Sequence, residues 1–176
     1  MLRLNDFVIR GRVWKFGESI DTNIIAPLHV MRKGEIDEIA QHTMVAVRPE
    51  FPEQARAGDI IVAGANFGCG SHREEANRVL EKVGIRAIVA ESVARIFLRT
   101  SINLAYPTLV APGITSLVED QEELEINYPE GMIRNLRSGH ELPLPKYPLS
   151  VEEIFKAGGI LTLLKERCIR EGLVRS

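Results

Sequence analysis

With 176 residues, 45% of them hydrophobic, the chain can bury one full core and is too short for two comfortable domains, so residues 1–176 are expected to form a single domain. A formal charge of −2 excludes the basic field that draws proteins to nucleic acid or anionic lipid. Two cysteines, Cys69 and Cys168, exclude a disulfide framework and also a self-contained iron–sulfur cluster, which needs about four thiolates. The opening MLRLNDFVIRGRVW scatters charged groups through its apolar residues and lacks the core of a secretory signal. No later run approaches the roughly 18 apolar residues of a membrane helix. A cytoplasmic protein with neither a nucleic-acid nor a membrane partner is expected.

Phe7 to Trp14 alternates enough to be a strand, and Gly17 ends it before the polar turn Glu18–Asn23. Leu28 to Gly34 has no periodicity and reads as a loop, after which Ile36, Ile39, Ala40 and Met44 recur at helical spacing. Asp59–Gly64, Arg86–Ala90 and Thr108–Ala111 are short runs rich in β-branched residues. Between them lie two helical patterns, one with the stripe Ala76, Val79, Leu80 and Val83 stopped by Gly84, the other beginning with Val93, Ile96 and Phe97. Alternating strand and helix predicts a parallel unit with right-handed crossovers. Leu124–Asn127 and Met132–Leu136 predict a hairpin, followed by the proline-broken stretch Leu142 to Pro148. Ser150-x-x-Glu153 has the capping-box pattern that opens a helix, the Gly158–Gly159 pair interrupts it, and a last helix is expected around Leu161–Ile169.

The segment GANFGCGSHREEA, Gly64 to Ala76, joins a strand to a helix with three glycines and a run of polar groups. Such turns converge backbone N–H groups and a positive helix end on one point, with Gly68 and Gly70 as the candidate anion-binding turn. A Walker loop would need Gly at position 69 with Lys beside it, and a dinucleotide fingerprint starting at Gly68 would need a small residue where Arg73 stands, so nucleotide binding is disfavoured. Ser71-x-x-Glu74 reads in two ways. It is a capping box, and it also puts a hydroxyl, then Arg73, at an electropositive helix end that would stabilise an alkoxide or a substrate carboxylate. Cys69 is either a reactive thiolate with His72 as its base or a small buried apolar side chain.

Taken together, GANFGCGSHREEA resembles the signature turn of the aconitase family's swivelling domain, which in the isopropylmalate dehydratase small subunits reads N-F-G-C-G-S-S-R-E. IDTNIIAP at Ile20–Pro27 is similar to their D-T-D-x-I-I-P segment. AIVAESVARIFLRTSINLAYPTLVAP, Ala87 to Pro112, is similar to their A-V-I-A-x-S-F-A-R-I-F stretch and the strand after it, and AGGIL at Ala157–Leu161 also has a counterpart. The fold this implies is α/β: a single swivelling β/β/α domain of the aconitase C-terminal-domain type, a parallel α/β unit with additional strands and C-terminal helices. The chemistry it implies is reversible dehydration of a 2-hydroxy di- or tricarboxylate, in leucine biosynthesis for the isopropylmalate enzymes. The [4Fe–4S] cluster would reside in a separate large subunit, joined as a heterodimer or heterotetramer, with no cofactor or metal bound by this chain. Ser71 falls on the catalytic serine that removes the proton next to the leaving hydroxyl, and Arg73 on an arginine that binds substrate carboxylate.

Two departures stand out. His72 occupies the place of a second, substrate-contacting serine, and Asn23 that of an Asp, so hydrogen bonding survives there while negative charge is lost. In PLHVMRK, Pro27 to Lys33, Arg32 aligns with the arginine that in homoaconitase-like subunits is linked to recognising an extra carboxylate, while Val30 replaces a tyrosine. Arg32 would favour a polar substrate group, Val30 and Met31 a branched alkyl group. Three readings follow: a small subunit acting on 3-isopropylmalate or another alkylmalate, a homoaconitase-like subunit, or a non-catalytic anion-binding module.

Overall fold

In chain order the computed structural model, which describes residues 8–32, 34–70 and 73–173, begins with β1 (Val8–Phe16) and four short helices, α1 (Thr22–Ile25), α2 (Leu28–Met31), α3 (Ile36–Ala40) and α4 (Phe51–Gln54). Then come β2 (Ile60–Ala63), α5 (Glu75–Lys82), β3 (Ala87–Ala90), α6 (Arg95–Asn103), β4 (Thr108–Val110) and α7 (Ile114–Leu117). The chain continues through β5 (Glu123–Asn127), β6 (Met132–Asn135), β7 (Glu141–Pro143), α8 (Leu149–Ala157) and α9 (Ile160–Arg170). The strands form one sheet in the order β4-β3-β2-β1-β5-β6-β7. β1 to β4 pair in parallel, whereas β5 pairs antiparallel with β1, β6 with β5, and β7 with β6. The expected parallel unit and the hairpin are therefore two halves of one sheet, joined at β1.

Both faces of the parallel half are covered, so its strands are continuous apolar runs and alternate residues enter different cores. On one face Trp14, Phe16, Ile61, Ala63, Ile88 and Ala90 pack with Val79, Leu80 and Phe97. On the other, Val13, Ile60, Val62, Ala87 and Val89 pack with Ile114, Leu124, Ile133 and Phe155. The register Trp14↔Ile61 and Ile61↔Ile88 keeps each set on its own side.

Three local expectations are corrected. Leu28 to Gly34 contains the helix α2, a single turn too short to show a period, and Val30 is buried in the first core. Ile96 is 61% exposed, because α6 begins at Arg95 and turns Phe97 and Ser101, one helical step apart, toward the interior. The predicted capping box at Ser150 does not form: α8 starts at Leu149 after Pro148 with no side-chain cap, and Glu153 pairs instead with Arg167 at 2.8 Å. At the other Ser-x-x-Glu pattern α5 opens at Glu75, with Glu74 in the N-cap position and paired with Arg78, while Ser71 itself lies outside the described residues.

Asp59, just before β2, gathers three donors on one carboxylate. Its Oδ2 accepts from the Trp14 indole N–H at 2.7 Å, from Arg12 Nη2 at 2.6 Å and from the Arg56 amide at 3.0 Å. Burial pushes its pKa up, but the Arg12, Arg56 and Trp14 hydrogen bonds outweigh it and hold the carboxyl below the usual Asp value. A depressed folded pKa stabilises the fold above the unfolded value and loses that contribution as pH falls through the folded value. Asp59→Asn is therefore expected to cost about 1–3 kcal/mol at neutral pH, with the gap to the parent protein closing below roughly pH 4, as read by urea unfolding at several pH values.

Candidate active site

The C-terminal ends of β1, β2 and β3 share one edge of the sheet, and residues 64–70 leave β2 there as a turn tied on both sides. Toward the loop after β1, the Ser19 amide donates to Ala65 C=O at 2.8 Å, the Gly68 amide to Ile20 C=O at 2.8 Å, and the Thr22 amide to Cys69 C=O at 2.9 Å. Toward the loop after β3, the Phe67 amide donates to Ser92 C=O at 3.0 Å and the Ala94 amide to Phe67 C=O at 2.8 Å. Phe67 is buried edge-on against Phe97, with ring centroids 5.4 Å apart.

Glycine is required at two points of this turn. Gly68 has φ +74, and a Cβ there would lie 2.3 Å from the Phe97 ring; Gly70 has φ +91, and a Cβ there would lie 2.3 Å from Asp21 Oδ2. Asp21 itself caps α1, accepting from the Asn23 amide at 2.7 Å. The amide of Gly68 is occupied by Ile20, so this glycine shapes the turn rather than offering a free donor.

Asn23, from α1, and Arg73, from the segment before α5, line one cleft of about 80 Å³ together with Thr22, Ala26, Leu28, Met31 and Ala76. Arg73 is exposed and makes no ion pair with another described residue, which leaves its guanidinium free to meet a carboxylate. Arg32 is exposed at the C-cap of α2 and is not among the residues lining the cleft, and Cys69 is half-buried. Ser71 and His72 lie outside the described residues. The nearby Glu91 is fully engaged: its carboxylate accepts from the Gly113 amide at 2.6 Å and from the Thr115 amide and hydroxyl at 2.9 and 2.5 Å. Burial raises its pKa, but these bonds, Thr115 foremost, outweigh it and hold it low, which suits a structural tie better than an acid–base group.

A larger cavity, about 630 Å³, opens at the opposite edge, where Gly58, Ile85, Arg86 and Pro107 precede β2, β3 and β4. Ligands of parallel sheets bind outside the carboxyl ends of the strands, so the small cleft is the candidate site despite its size. Among the described residues no group of three or more His, Cys, Asp or Glu side chains is placed to hold a metal ion, and no helix is long and apolar enough to cross a membrane.

The aconitase C-terminal domain family matches residues 20–112, which span the helix carrying Asn23, the glycine turn and the parallel strands β2 to β4. A 3-isopropylmalate dehydratase small subunit from Methanopyrus kandleri is 47% identical over 94% of this chain and 95% of its own length. The chain belongs to the small-subunit branch of the aconitase C-terminal domain family. An isopropylmalate/citramalate isomerase small subunit from Methanocaldococcus jannaschii is 44% identical over 91% of this chain and 95% of its own. A methanogen homoaconitase small subunit from Methanothermobacter thermautotrophicus is 45% identical over 88% of this chain and 89% of its own. The crystal structure of a 3-isopropylmalate dehydratase from Methanocaldococcus jannaschii superimposes with a TM-score of 0.85 at 35% identity, covering 94% of this chain and 98% of that one. The α/β swivel-domain fold expected from the resemblance is thus the fold of the family.

For this small-subunit-type chain, sequence reasoning passed over Asp21, Thr22 and Leu28 as site residues. Asp21 followed by a short helix was an available N-cap signal; Leu28 lay in a stretch without any period. The turn geometry yields a direct expectation: Gly68→Ala should lose about 1–3 kcal/mol from its positive φ and its contact with Phe97, measured as a lower urea midpoint.

Proposed function

We propose that this chain is the small subunit of a 3-isopropylmalate dehydratase-type hydro-lyase, a cytoplasmic enzyme of leucine biosynthesis that acts only with a cluster-bearing large subunit. The observation that carries the reading is the shared cleft, in which an amide (Asn23) and a guanidinium in no ion pair with another described residue (Arg73) share the lining with apolar Leu28 and Met31. An arginine beside an alkyl-lined wall suits a substrate with a carboxylate at one end and a branched hydrocarbon at the other. Arg32, the residue that would recognise an additional carboxylate, does not line this cleft, which favours an alkylmalate over a tricarboxylate. The whole chain acts as one swivelling domain in this reading.

The chain's two cysteines, at positions 69 and 168, cannot hold a [4Fe–4S] cluster, so the cluster belongs to the large subunit. When bound there, the cluster supplies Lewis-acid assistance to loss of the substrate hydroxyl. The work of this chain is separate. Ser71 takes the proton from the carbon adjacent to the one that loses hydroxyl and returns it on rehydration. Arg73 holds a substrate carboxylate by a bidentate pair, Asn23 adds a hydrogen bond, and His72, next to Arg73 in sequence, is assigned a substrate contact as well. Serine needs a positive environment to act as a base, and Arg73, two residues away, contributes it.

Ser71→Asn in the assembled complex is the decisive variant, because Asn serves equally well as a helix cap but cannot form an alkoxide; turnover is expected to fall by roughly 10²–10⁴. Near-normal turnover would leave Ser71 a structural residue. Arg73→Lys keeps the charge and loses the planar fork, and should raise KM and lower kcat together. Assay against 3-isopropylmalate and homoaconitate completes the test: the alkylmalate should be the better substrate by kcat/KM, and the reverse order would move the chain to the homoaconitase side.

A further inference from the structure

One carboxylate in the site has no role in the reading above. Asp21 sits between two of the backbone hydrogen bonds that join the halves of the cleft: the residue before it accepts from the Gly68 amide at 2.8 Å, and the residue after it donates to Cys69 C=O at 2.9 Å. Its own backbone bridges Cys69 in parallel. Of its two carboxylate oxygens, Oδ1 accepts from the Asn23 amide at 2.7 Å, which fixes the first turn of α1. Oδ2 lies against Gly70, only 2.3 Å from the position a Cβ would take there. One side chain thus touches the helix that carries Asn23 and the last turn residue before Ser71 and Arg73.

We infer that Asp21 is a positioning residue for the proposed reaction: it holds the Asn23 helix and the glycine turn in one fixed relation, so that groups from the two segments meet substrate together. The inference rests on the function proposed above. The hydrogen bond and the contact with Gly70 have separate physical content. The bond needs an oxygen acceptor at the end of a short side chain; the contact needs a group of carboxylate size against a residue without Cβ. Asparagine supplies both without the negative charge. Alanine supplies neither, and a shift of about 1 Å in a reacting group can cost on the order of 10²-fold in rate.

The test compares Asp21→Ala and Asp21→Asn in the complex assembled with the cluster-bearing large subunit, beside Ser71→Asn. Asp21→Ala is expected to lower kcat 10- to 100-fold while KM changes less than threefold, and Asp21→Asn to recover kcat to within about threefold of the parent. Hydrogen exchange on the chain gives a readout independent of turnover: in Asp21→Ala the Gly68 and Thr22 amides should exchange at least tenfold faster, with the amides of β2 and β3 unchanged. If Asp21→Ala fails to assemble, Asp21→Ser takes its place, since serine keeps the cap and gives up only the contact with Gly70; its kcat should then lie between the parent's and that of Ser71→Asn. Parent-like kcat in Asp21→Ala or Asp21→Ser, while Ser71→Asn is inactive, overturns the positioning role alone. An Asp21→Asn variant as slow as Asp21→Ala overturns it too, by assigning the effect to charge. Retained activity in Ser71→Asn overturns the proposed function itself.

Discussion

The loop after β1 and the turn after β2 are stitched by backbone hydrogen bonds, among them Ser19 N–H to Ala65 C=O, Gly68 N–H to Ile20 C=O and Thr22 N–H to Cys69 C=O, and the cleft exists because of that stitch. Pairing of β1 with β2 ends at Phe16↔Ala63, yet these bonds carry the parallel relationship past the strands into segments with no regular structure. The groups on the two loops are thereby held with the stiffness of a sheet. The stitch in turn dictates the glycines: close approach of the two backbones leaves the Phe97 ring and the Asp21 carboxylate where side chains of residues 68 and 70 would otherwise go. The aromatic pair Phe67–Phe97 then anchors the far side of the turn to α6.

The cleft is small, about 80 Å³, against the several hundred cubic ångströms in which proteins usually enclose a ligand. It offers one guanidinium, one amide and an apolar wall. This is the shape of half a site. Its described chemistry is that of recognition, with Arg73 in no ion pair with another described residue, whereas Glu91 and Asp59 have their charge consumed by internal partners. A second wall and the electrophile come from another chain in the function proposed, and the size of the cleft is in keeping with that division of labour.

Much of this was legible in the residues. Runs such as Ile60–Ala63 and Ala87–Ala90 are apolar at every position because both faces of the parallel half are covered, and that signal identifies buried strands without any long-range information. The glycine turn was legible for the same reason it matters: nothing but glycine fits at 68 and 70. Leu28 to Gly34 was misread because one helical turn carries no period, and Ile96 because an apolar residue at helical spacing does not reveal where the helix begins. The capping-box pattern at Ser150 failed because a Ser-x-x-Glu spacing specifies a helix start only if nothing else claims its members. Glu153 was claimed by Arg167. The role of Asp21 depended on a contact across almost fifty residues, which no local pattern encodes.

β1 is the first strand described and lies in the interior of the sheet, paired with β2 on one side and β5 on the other. Its registered partners on the second side include Leu124 and Ile126, more than a hundred residues downstream. During synthesis this strand therefore emerges long before one of its edges can be filled. The parallel half can assemble once β2 to β4 have left the ribosome, but the second apolar face, where Ile9 and Val13 meet Leu124, Ile126 and Ile133, has to wait for the hairpin. Until then the nascent chain presents an open strand edge and a bare hydrophobic sheet face, the state in which chaperones bind and aggregates start. The arrangement that buries the first strand most deeply in the finished protein is the one that leaves it longest exposed in the making.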